Sequence, residues 1–158
     1  MAAKRSLDKS YVVRNIKQKQ RFKHKLILEG IAVGSIVGLV IALFRVMIVK
    51  ADQARHMAVR LVKVRPIYAF AVFMALILIA WILDKLLSYE PDISGSGIPQ
   101  IEGELKGLED QNWRKVLAAK FAGCILAIGG GLALGREGPS IQLGGMIGKG
   151  FARRKKAL

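Results

Sequence analysis

The sequence predicts an all-α, polytopic membrane protein with about three spanning helices and further short, broken or re-entrant ones. Three observations carry that prediction. Of 158 residues, 53% are hydrophobic, and they cluster in blocks instead of recurring at amphipathic spacing. Leu26 to Phe44, Pro66 to Leu83 and Val116 to Gly135 hold 19, 18 and 20 residues, and their only charges are Glu29 in the first block and Lys120 in the third. Each block is long enough for a helix to cross a hydrocarbon core about 30 Å thick. Basic residues flank the blocks: nine Lys and Arg in residues 1–25 against Asp8 alone, five in 50–65 and five in 149–158.

That placement also decides what the net charge of +15 means. A basic chain can bind nucleic acid through its phosphates, but basic segments beside apolar spans are what the positive-inside bias of membrane proteins produces. Nucleic-acid binding is therefore not expected. The chain divides into a basic cytoplasmic tail, 1–25, and a membrane domain, 26–158, multi-pass in the cell membrane. Span one leads out, span two returns, span three leads out again, and residues 138–151 come back so that the closing "ARRKK" ends inside. The tail is too charged for a signal peptide and no small-residue cleavage site follows it. Cys124 is the sole cysteine, which leaves no disulfide or thiolate metal site; His24 and His56 lie far apart without metal-ligand spacing. No metal, no cofactor and no enzymatic activity are expected.

Taken in order, span one carries Gly30, Gly34 and Gly38, a four-residue spacing that puts small residues on one helix face and suits close helix packing in lipid. Span two is apolar all round and begins at Pro66, a good first-turn residue, with Trp81 near an interface. The following "SYEPDISGSGIPQIEGELKGLEDQNWRK" is acidic and broken by Pro91, Gly95, Gly97 and Pro99, so no long helix runs through it. A short helix can restart there, over about Pro99 to Leu108, with Ser96 as a cap just ahead. Span three closes in "GGGLALG", and "REGP" then sets Pro139 at a second helix start with Glu137 and Gly138 before it. Two glycine-prefaced helix starts inside an apolar zone form an unusual pair. Irregular backbone at membrane depth survives only where protein or a wet cavity receives its polar groups, and paired helix N-termini hold anions without a bare buried cation.

Neither glycine-rich stretch is a nucleotide loop. "GGLALGRE" has Arg136 and Glu137 where Lys and Ser or Thr would be needed, "GSGIPQ" lacks a third glycine, and neither follows a strand. Glu137 has a plain structural explanation as a helix-terminal acid or an ion pair with Arg136. It has a functional one as an ionisable group within a membrane segment. Ionised, it competes with a free anion for the amides; protonated, it can leave and carry a proton. Ser96 is likewise either a helix cap or a hydroxyl donor to an anion.

"GSGIPQIEG" (95–103) and "GREGPSIQLGGMIG" (135–148), in this order and spacing, resemble the first two anion-site signatures of the CLC chloride channels and proton-coupled chloride transporters. The resemblance implies that Ser96 coordinates chloride, the transported ligand. It implies further that Gly95, Gly97, Ile98, Arg136, Glu137 and Gly138 line the anion sites, Pro99 and Pro139 start the helices, and Glu137 is the gating glutamate, with protons as co-substrate. Serine at 96 and proline at 139 are similar to the chloride branch of that family and unlike its fluoride-exporting branch. The implied fold is the first half of an inverted repeat. A third motif with its phenylalanine, a distal tyrosine, an internal proton-transfer glutamate and most of a homodimer interface would lie in the second half, after Leu158. On this resemblance the chain is a truncated product or fragment, or it assembles with a partner supplying the missing half. The alternatives are a non-transporting membrane subunit acting through the Gly30, Gly34, Gly38 face, and a protein whose basic tail binds anionic lipid of the bilayer as its main task.

Overall fold

The computed structural model describes the backbone of residues 2–156 and the side chains of His24 and residues 26–154. The Lys and Arg side chains of the tail through Lys25, and those of Lys155 and Lys156, lie outside the described residues. Every regular element among the described residues is helical: α1 (Ala2–Val64), α2 (Tyr68–Tyr89), a 3₁₀ turn (Pro91–Ile93), α3 (Ile98–Leu105), α4 (Trp113–Gly129) and α5 (Glu137–Lys156). Residues 1–36 and 37–158 form two compact units, and the packing described below lies within the second.

α1 runs further than the sequence reading has it. Residues 50–65, expected as a basic loop, continue α1 to Val64. The segment holds no glycine or proline before Pro66, and it is rich in good helix formers. Asp52 also pairs with Arg55 at 2.7 Å and faces His56 at 3.5 Å, the spacings that support a helix from its own surface. Pro66 then ends α1, because the residue before a proline is driven out of the helical region. The break to α2 is a short turn closed by Tyr68 N–H to Arg65 C=O at 3.1 Å.

Two stretches, Leu26–Val64 of α1 and all of α2, are long and apolar enough to cross a membrane, and no residue of α2 is buried. The third expected span is shorter than its 20-residue apolar run. α4 stops at Gly129 because Gly131, at φ +94°, enters the left-handed region that only glycine adopts without strain. Gly131 N–H then reaches Ile128 C=O and Leu132 N–H reaches Ala127 C=O, both at 3.0 Å, a Schellman closure. Residues 132–136 are consequently free of the helix and lead into α5.

Two apolar clusters hold the second unit together. Phe44 and Ile48 of α1 meet Cys124 and Ile128 of α4 and Leu143 of α5, with Phe44 stacked obliquely on Phe121 at 5.4 Å. Ile93, Val116, Ala119 and Met146 form the other, tying the 3₁₀ turn to α4 and α5. α3 lies against α5 where Gly145 faces Ile101 so closely that a Cβ would overlap its side chain. The α3–α4 connection is fixed to α5 by charge. Lys149 Nζ bonds Glu104 at 2.5 Å, Asp110 at 2.8 Å and the Gln111 carbonyl at 2.7 Å, while Arg153 reaches Asp110 Oδ2 at 2.6 Å.

Candidate functional site

The site grows from the chain between α2 and α3. α2 ends at Tyr89, and Glu90 behind it is buried; burial, reinforced by neighbouring Asp92, pushes its carboxyl above the ordinary glutamate value. The 3₁₀ turn follows, and then two glycines in the left-handed region, Gly95 at φ +65° and Gly97 at φ +86°, flank Ser96. Gly97 is required by space as well as by conformation, since a Cβ there would lie 2.7 Å from Gln142 Cβ. α3 begins at Ile98 with Pro99 in its first turn and Gly97 at the N-cap position, so Ser96 is not the cap; its Oγ accepts from Ile98 N–H at 3.3 Å across a local turn instead.

The second turn arrives from α4. Residues 132–135 run to Glu137, the first residue of α5, and Ser140 Oγ donates to the Arg136 carbonyl at 2.7 Å. Gly138 brings the two turns into contact. A Cβ on it would lie 3.0 Å from Ser96 Cβ and 3.1 Å from Ser96 C, and it would overlap the Ser96 carbonyl oxygen. Two segments 42 residues apart therefore meet at one point because position 138 has no side chain.

Beside this contact lies a cavity of about 520 Å³. Gly95, Ser96, Gly138 and Pro139 contribute to its wall from the two turns, and Lys120 and Cys124 contribute from α4. Of the other residues singled out in the sequence, Gly97 is buried beneath the turn, while Ile98, Pro99, Arg136 and Glu137 are exposed. The Glu137 carboxylate has neither hydrogen bond nor ion pair among the described residues, so the Arg136 pairing suggested by sequence adjacency does not form. Among the described residues, a Cβ at Gly30, Gly34 or Gly38 would meet nothing within 4 Å.

Sequence reasoning missed the residues that hold the first turn in place. Four consecutive carbonyls are taken by side chains: Asp92 by Gln142 Nε2 at 2.8 Å, Ser94 by Gln100 Nε2 at 3.0 Å, and Ile93 and Gly95 by Lys120 Nζ at 2.7 and 2.8 Å. Lys120 was visible as the one charge in its apolar run, and that was the available signal. Gln142 left no signal, because a single amide in a glycine-rich helix resembles many others.

Exposed apolar helices around paired helix starts are a membrane architecture, and comparison with known proteins says of which kind. Residues 75–158, which contain both turns and α3 to α5, match the family model described as Voltage gated chloride channel. The chain belongs to that family. It is 34% identical to the H(+)/Cl(-) exchange transporter ClcA of Citrobacter koseri over 152 residues, covering 90% of this chain and 31% of that protein. The ClcA of Vibrio campbellii is 35% identical over 121 residues, and that of Vibrio cholerae is 48% identical over 61. The chain thus spans about a third of the length of the curated relatives it matches. Those relatives are named as transporters and not as enzymes.

Proposed function

We propose that this chain forms the N-terminal part of a chloride transporter, in which the anion is held at the starts of α3 and α5 and Glu137 is a protonatable gate. The observation that carries this is the contact of Ser96 with Gly138 beside a cavity. It sets two helix N-termini, each with the positive end of its dipole, around one space. Ser96 adds a hydroxyl whose oxygen accepts from Ile98 N–H and whose proton is available to an anion. Glu137, first in its helix and without a partner among the described residues, is the acid free to exchange places with chloride. Its protonation releases the amides and moves a proton with the gate. On this reading the protein lies in the cell membrane with its basic tail on the cytoplasmic side.

The test is chloride efflux from liposomes holding the full-length natural protein that carries this segment, measured across pH. Wild-type flux should depend on pH, and Glu137→Gln, which mimics the protonated acid permanently, should remove that dependence. Unchanged pH-dependent flux in Glu137→Gln would end the gating idea, and wild-type liposomes that release no chloride would end the transport reading.

A further inference from the structure

The arrangement of carbonyls in the Asp92–Gly97 turn carries a consequence for which amides face an anion. In a trans peptide, the carbonyl of one residue and the N–H of the next point in opposite directions. Fixing a carbonyl therefore fixes the amide behind it. Lys120 holds the Gly95 carbonyl, so the Ser96 amide is directed away from the ammonium; Gln100 holds the Ser94 carbonyl, so the Gly95 amide is directed away from that side chain. Among the described residues no backbone carbonyl takes either amide. By contrast, the Ile93 and Ser94 amides are consumed by Glu90 and Pro91 within the 3₁₀ turn.

The groups doing this are buried and come from other helices. Lys120 is 3% exposed and Gln142, from α5, is fully buried. Among the described residues the ammonium faces no carboxylate and spends its hydrogen bonds on two neutral carbonyls, an expensive arrangement in an apolar surrounding unless it fixes something. What it fixes is a turn whose two positive-φ glycines would otherwise have wide conformational freedom.

We infer that Lys120 and Gln142 are positioning residues of the anion site, which clamp the carbonyls of Asp92, Ile93 and Gly95 and so hold the Gly95 and Ser96 amides in a geometry that discriminates between anions. The inference rests on the proposed anion site and adds the cause of its selectivity. A site made only of positive charge would weaken toward every anion alike when Lys120 is neutralised. A clamped ring of amides loses its fit to a small spherical ion before it loses its attraction for a large, polyatomic one.

The experiment is calorimetric binding of sodium chloride and sodium thiocyanate to the purified full-length protein, in wild type and in Lys120→Met, Lys120→Arg and Gln142→Met. Leaving a buried carbonyl unpaired should weaken chloride binding about tenfold in Lys120→Met and about threefold in Gln142→Met, with thiocyanate binding weakened less in both. Lys120→Arg, which keeps the charge and the donors, should recover most of the chloride preference. Gln142→Met changes no charge and stands in if Lys120→Met fails to fold. If both anions weaken by the same factor, or if the ratio is untouched in Gln142→Met, the positioning role is overturned while the anion site stands. If wild type binds neither anion, the site and the positioning role are both overturned.

Discussion

Gly138 gives the most direct test of how the site is assembled. In Gly138→Ala the new methyl would sit 3.0 Å from Ser96 Cβ and 3.1 Å from Ser96 C, a few tenths of an ångström inside the 3.4 Å at which ordinary contact begins, and would overlap the Ser96 carbonyl oxygen. Two of those three atoms are backbone, so no rotamer change relieves the clash. Either α5 or the Ser96 turn has to move. Overpacking of this kind costs about 1–3 kcal/mol. Gly148, ten residues along the same helix, supplies the reference, because a Cβ there would meet nothing within 4 Å among the described residues. Gly148→Ala should stabilise by up to about 1 kcal/mol through helix propensity alone. That gain is smaller in the first turn, where Gly138 lies, so the contact accounts for about 1–3 kcal/mol of their difference. The measurement is thermal or detergent-induced unfolding of the purified protein, followed by chloride binding. Displacing the Ser96 turn should also weaken chloride by about tenfold, the equivalent of about 1.4 kcal/mol. If Gly138→Ala is as stable as Gly148→Ala and binds chloride like wild type, the two helix starts do not meet and the two-turn site is refuted.

Two further outcomes follow from the packing around the site. Phe44 is fully buried against Phe121, and Phe44→Ala should cost about 3 kcal/mol by leaving a cavity between α1 and α4, measured by unfolding in detergent. Hydrogen bonds from Lys149 and then Arg153 hold the Asp110 carboxyl below its ordinary value of 3.8. A carboxyl lowered in the folded state contributes stability above its unfolded value and loses it as pH falls through the lower, folded one. Acid unfolding below pH 3.8 should therefore soften in Asp110→Asn, and an unchanged acid limb would show that the exposed pair contributes nothing.

The parts of this structure legible in the sequence are those set by local chemistry. Pro66 marks the α1–α2 break, Pro99 and Pro139 lie in the first turns of α3 and α5, and the glycines of "GGGLALG" release the chain from α4. The extent of α1 through residue 64 was equally local in origin, but charge was the wrong guide. Arg55, Arg60 and Lys63 suit an exposed helix face as well as a loop, and only the lack of a breaker between Gly38 and Pro66 distinguishes the two. The holding of the Ser96 turn was not legible. It depends on a lysine 25 residues away and a glutamine 50 residues away finding particular carbonyls, and periodicity carries no information about such pairings.

Lys120 and Glu137 are opposite charges in the same apolar zone, and they differ in how they are held. Lys120 is buried and bound at two carbonyls, so moving it would strand both acceptors along with its own charge. Glu137 is exposed and unbound among the described residues, so a change in its position strands nothing. A site that must admit and release an anion needs both conditions. On the proposed reading, a fixed cation and a fixed set of amides bias the space toward negative charge, and a carboxylate that moves at little cost lets a single proton decide whether that charge is tethered or free. The division assigns separate phenotypes to the two residues. Changes at Lys120 should alter which anion is held, and changes at Glu137 should alter when it is released.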